Sequence, residues 1–136
     1  MAFTGNATCN VFKTGLLNGD FDFSSGTFYI ALYTNNATLN AQTTAYTTVG
    51  EVVGIGYTAG GQALTPSVAA SDGTSYVSFN NVSWSGSITA RGALIYKPGD
   101  NGAVCVLDFG ADKTSATTFT VEFPAATNST AILRLS

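Results

Sequence analysis

Two apolar runs separated by a short turn-forming break constrain this chain more than any other feature. "GALIY", Gly92 to Tyr96, leads into "KPGDNG", Lys97 to Gly102, and then into "AVCVLDF", Ala103 to Phe109. Proline fixes φ, and Asp-Asn-Gly tolerates the left-handed angles of a tight reversal, so the chain turns back on itself here. Both runs are apolar at successive positions, which predicts a hairpin at the centre of a sheet covered on both faces.

Further strand patterns surround it. "TFYIALYT", Thr27 to Thr34, puts Phe28, Ile30 and Leu32 on one face and Tyr29 and Tyr33 on the other. In "SYVSF" Val77 and Phe79 point inward; Asn80-Asn81 then breaks the period, and Val82 and Trp84 resume it at the other parity, as a bulge or turn permits. "TFTVEF" alternates Phe119, Val121 and Phe123 with Thr120 and Glu122, and "AILRLS" reads as a strand to Ser136. One short helix is expected at about residues 9–18, with Thr8 as N-cap, Phe12 and Leu16 on one face and Gly19 at its end. With 136 residues the chain suits one domain, residues 1–136. Strands apolar on both sides favour an all-β, single-domain antiparallel β-sandwich of jelly-roll or related topology.

Asn35 to Gly61 is a long polar, glycine-rich excursion, within which Val49, Val52, Val53 and Ile55 are expected to form a short strand. Loops longer than about 12–15 residues are usually functional or mobile. Inside it "GIGYTAGG", Gly54 to Gly61, superficially matches a phosphate-binding loop. A dinucleotide fingerprint needs its third glycine one residue earlier and a helix directly after, whereas Pro66 follows, and no Lys-Ser or Lys-Thr pair closes these glycines as in a P-loop. The glycines instead suit positive φ angles at a bent loop.

Composition removes most chemistries. The chain has no histidine, which excludes Ser-His-Asp and Cys-His nucleophile pairs and histidine-ligated metals. Five cations, Lys13, Arg91, Lys97, Lys113 and Arg134, against eight acids give a net charge of -3 and no basic stripe for nucleic acid. Cys9 and Cys105 lack a metal-binding spacing and read most simply as two buried thiols, a disulfide joining them being the alternative. Asp20, Asp22, Ser24 and Gly26 lack the glutamate that closes a calcium loop, and Asp108 and Glu122 lie on separate strands. "DFG", Asp108 to Gly110, reads as a strand end and turn. No catalytic residue, cofactor or metal is expected. No apolar run approaches the roughly 20 residues of a membrane span, and no cleavable leader pattern opens the chain. Charged residues make up only 10%, against about 25% in ordinary soluble domains. So uncharged a surface suits burial against neighbouring subunits.

Three segments, "FKTGLLNGDFDF", "FYIALYTNNATLNAQTTAYTTVGEVVGIGYTAGGQALT" and "ITARGALIYKP" through "AVCVLDFGADKTS", together with "FTVEFP", form a pattern over nearly the whole chain. It resembles a family of small structural proteins of tailed bacteriophages, especially cyanophages and phages of marine bacteria. The resemblance implies a virion component assembled in the host cytoplasm. It implies a capsid cement or decoration protein that binds the outer surface of the head and bridges capsomers of the major capsid protein. Homotrimers would fit capsid symmetry. A tail or fibre component is the alternative, as is a glycan-binding host-attachment module stacking sugars on Tyr46, Tyr57 or Trp84. For the cement role, the expected partner-interface residues are Phe3, Phe12, Tyr46, Val49, Val53, Ile55 and Tyr57; aromatic and apolar side chains outside regular strands make interface anchors. Packing on the domain's own core is the competing reading of the same residues.

Overall fold

A computed structural model describes Phe3 and residues 5–135, so the expected strand end at Ser136 lies outside the described residues. In chain order the elements are β1 (Ala7–Thr8), α1 (Asn10–Asn18), β2 (Phe28–Tyr33), β3 (Gln62–Leu64), β4 (Pro66–Ser71), β5 (Thr74–Phe79), β6 (Val82–Ser85), β7 (Thr89–Tyr96), β8 (Ala103–Thr114), β9 (Thr118–Val121) and β10 (Leu133–Leu135). The strands form a sheet of order β1-β8-β7-β2-β3, a second of order β10-β5-β4 and a β6-β9 pair, all antiparallel. This is the all-β, sandwich-like fold with one short helix that the strand patterns imply.

The β7–β8 hairpin lies in the middle of the largest sheet, and its register explains why. Ile30, Ile95 and Cys105 align across β2, β7 and β8 on one face, as do Leu32, Ala93 and Leu107. Ala31, Leu94 and Val106 align on the other, and all these residues are buried. Large aliphatic side chains buried in this way each stabilise the fold by about 1.5–3 kcal/mol. An aromatic layer joins the first face to neighbouring elements. Phe23 stacks on Phe28 at 4.5 Å and meets Phe79 of β5 edge-on at 6.2 Å, while Phe12 of α1 packs edge-on against Phe21 at 4.9 Å.

Several local expectations change. The N-cap of α1 is Cys9, not Thr8, because Thr8 is held extended in β1 opposite Cys105. The Cys9 carbonyl accepts from the amides of Phe12 and Lys13, and Gly19 ends the helix at φ 80° as expected. Asn80-Asn81 is a switch between sheets. There the Asn80 Oδ1 accepts from the Thr65 amide at 2.6 Å and the Asn81 Oδ1 from the Phe123 amide at 2.8 Å. Asp108-Phe109-Gly110 does not end a strand; β8 runs on to Thr114 through an irregularity opposite Arg91. The strand expected around Val49–Ile55 is absent. Only isolated bridges, Tyr33 with Glu51 and Gly54 with Tyr57, occur there, and the regular strands β3 and β4 follow instead.

Cys9 and Cys105 are buried and free, the simpler of the two readings of the pair. Burial pushes the Cys9 thiol up to about 11 and raises that of Cys105 as well. Since the thiolate is the reacting form, iodoacetamide at pH 8 should label both cysteines at least ~100-fold more slowly in the native protein than in urea. Comparable rates in the two conditions, read by intact-mass spectrometry, would contradict this packing.

Candidate functional site: an apolar loop tip held by a buried carboxylate

Pairing between β2 and β3 stops at Ile30, so the rest of the β2 edge needs other partners. The excursion supplies them. The Thr34 amide donates to the Gly50 carbonyl at 2.8 Å, and the Val52 amide donates to the Leu32 carbonyl at 3.0 Å. The Leu32 amide donates at 2.9 Å to the Tyr57 hydroxyl, which stands where a strand carbonyl would otherwise be.

That hydroxyl is itself held by Glu51, only 6% exposed and the one buried charged residue among those described. The Tyr57 hydroxyl donates to Glu51 Oε2 at 2.5 Å, the Tyr46 hydroxyl to Oε1 at 2.5 Å, and the Gly60 amide to Oε2 at 2.8 Å. A carboxylate accepts only, and this donor set meets both its oxygens. Two more tyrosines fasten the loop to the sheet: Tyr33 donates to the Thr47 carbonyl and Tyr96 to the Gly60 carbonyl, both at 2.6 Å. Glu51 was missed by sequence reasoning. Its signal is a lone acid in "YTTVGEVVGIGY", flanked by the tyrosines that hold it.

The glycines of this segment answer the question their pattern raises. Gly61 lies at φ 80° against β2, where a β-carbon would overlap the Ile30 carbonyl. Gly56, at φ 91°, sits against the backbone of Ser85 and Gly86. They serve close backbone approach, and Gln62–Leu64 continues as a strand, so no helix N-terminus faces them.

The expected interface residues divide sharply. Phe3, Phe12 and Tyr57 are buried, so they are core residues and cannot anchor a partner. Phe3 packs against Gly92, Phe12 against the phenylalanine layer, and Tyr57 against Trp84 at 6.0 Å. Tyr46 is half-buried, its hydroxyl spent on Glu51. Val49, Val53 and Ile55 are 69%, 93% and 94% exposed. Ile55 occupies a turn closed by the Tyr57 amide on the Gly54 carbonyl. Among the described residues, Leu17, Val68 and Leu135, not anticipated, are the other large apolar residues left exposed. Burial also removes Tyr57 and Trp84 as sugar-stacking groups. In comparisons with known proteins, no family model, no curated sequence and no solved structure matches the chain.

Two measurements follow from the network. Glu51→Ala strands the Tyr57 hydroxyl and the Gly60 amide, and should cost about 2–4 kcal/mol in urea unfolding; Val53→Ser and Ile55→Ser should stay within about 0.5 kcal/mol of the parent. The network also sets an alkaline limit. Burial pushes Tyr96 up to about 12 from the usual 10.0 and raises Tyr33, Tyr46 and Tyr57 as well. Folding therefore favours the neutral phenols: this stabilisation is complete below pH 10 and is lost as pH rises toward 12. On titration upward from neutrality, circular dichroism should show unfolding only in that alkaline window, and a transition centred near neutrality would refute the assignment.

Proposed function

We propose that this chain is a non-enzymatic structural protein of a bacteriophage particle, a cement or decoration protein on the outer surface of the head. In this reading it bridges capsomers of the major capsid protein and assembles as a homo-oligomer, a trimer where capsid symmetry offers threefold positions. The observation that carries the proposal is the loop tip. Val53 and Ile55 stand almost wholly in solvent on a backbone that is fixed on both sides.

An apolar side chain on a slack loop would fold back onto the core; here the bonds to β2 and the close contact of Gly56 with Gly86 prevent it. The tip is thus an ordered apolar projection, the form a hot-spot residue takes before it enters a pocket on a partner. Low charge supports the same reading, because interface cores are depleted of charged residues. The family resemblance of the excursion and hairpin segments adds the phage setting.

Quantitative mass spectrometry of purified particles should find the protein in near-stoichiometric ratio to the major capsid protein. A few copies per particle would move it to the tail or a fibre. Val53→Ser/Ile55→Ser should fold as the parent does yet lose at least about tenfold in affinity for empty heads, the size expected when apolar anchors are removed. Undiminished binding would remove the tip from the interface.

A further inference from the structure

Away from the loop tip, the other side of the excursion forms an open cleft of about 540 Å³ with the end of the β7–β8 hairpin. Its walls include Tyr29, Tyr46, Tyr96, Pro98 and Asp100, with Gly60 and Gly61 along the loop. From this arrangement we propose that the cleft binds a neutral saccharide, with a pyranose ring lying against the half-buried Tyr29 and Tyr46, the two rings of the tyrosine row that buried Tyr96 holds in place.

The row is built before any ligand arrives. The Tyr96 ring stacks against Tyr29 at 5.8 Å and against Tyr46 at 4.8 Å, with interplanar angles of 24° and 22°. Two of the three hydroxyls are already committed, Tyr96 to Gly60 and Tyr46 to Glu51. These rings cannot reorient freely, so binding would forfeit little side-chain entropy. The exposed parts of Tyr29 and Tyr46, not Tyr96, which is only 5% exposed, supply apolar surface for the C–H face of a sugar.

Polar groups at the cleft match sugar hydroxyls. Among the described residues, the Tyr29 hydroxyl and the Asp100 carboxylate make no hydrogen bond within the chain. The carboxylate accepts from hydroxyl donors, and the phenol both donates and accepts.

Charge decides which saccharide. Among the described residues, Asp100 is the only carboxylate lining the cleft, and no cation lines it. Lys97, the nearest in sequence, is turned to the Asp20 carbonyl and lies 5.0 Å above the Phe21 ring. An anionic sugar, nucleotide or phosphate would meet a carboxylate with no compensating charge. A proline-rich peptide could use the aromatic surface, but its ring nitrogens carry no hydrogen, so Asp100 would face carbonyl oxygens unpaired.

The test is a titration of the ¹⁵N-labelled chain with cellotriose, maltotriose and triacetylchitotriose, with sialyllactose and a decaproline peptide as comparators. At least one neutral trisaccharide should shift the amides of Gly60, Gly61, Gly99 and Asp100. Tyr29→Ala and Asp100→Ala, each first shown to keep the parent's thermal transition, should bind it at least about tenfold more weakly. The proposal is overturned if no neutral trisaccharide shifts these amides, if sialyllactose or decaproline binds more tightly, or if both variants bind as the parent does. None of these outcomes bears on particle assembly, which rests on Val53 and Ile55 outside the cleft.

Discussion

A carboxylate removed from water costs several kcal/mol unless donors replace its hydration, and Glu51 is removed from water in this fold. Its donors are the condition under which the excursion can have a single conformation. Tyr57 links the carboxylate to the Leu32 amide, so one chain of hydrogen bonds runs from an irregular loop to the backbone of a central strand. Tyr46 carries the second oxygen across to the Tyr96 and Tyr29 rings. The loop tip and the tyrosine cleft therefore share one fixed point. Neither would hold its shape if Glu51 faced solvent.

The same interaction explains how β2 can be central without a full partner on each side. β7 pairs with β2 from Tyr29 to Tyr33, whereas β3 reaches only from Phe28 to Ile30. Beyond that point an exposed edge would invite pairing with another chain. Val52, Gly50 and the Tyr57 hydroxyl close it without forming a regular strand, which is why the four apolar residues from Val49 to Ile55 do not alternate between core and solvent. Val52 is buried, whereas Val49, Val53 and Ile55 are exposed, a pattern set by the loop's path and not by a strand period of two.

What the sequence discloses follows from how local the deciding interaction is. The β7–β8 hairpin, β2 and the end of α1 at Gly19 were legible because apolar runs and turn residues act over a few positions. β3 and β4 were not: "QAL" and "PSVAAS" have weak strand propensity, and β4 is held by its register against β5 while almost all of it stays exposed. Thr8 failed as a cap because of a pairing with Cys105, distant in sequence. Phe3, Phe12 and Tyr57 were read as surface anchors because they lie outside the alternating segments. Tertiary packing buried each of them, Phe3 against Gly92 and the other two against aromatic neighbours. The acid that organises the loop carried no spacing rule of its own.

In the proposed role, rigidity and low charge bear jointly on recognition. With a net charge of -3 and cations scattered from Lys13 to Arg134, the molecule has little field with which to steer a partner. Orientation must then come from shape at contact, and shape is effective only where the contacting groups are already in place. Val53 and Ile55 on a slack loop would lose on ordering much of what their burial returns, since ordering a residue costs about 1–2 kcal/mol of backbone entropy. Holding their backbone through Glu51 moves that cost into folding, where the core of β2, β7 and β8 offsets it. In the proposed role Glu51 acts on binding through geometry alone: it leaves the apolar tip ordered before a partner is met.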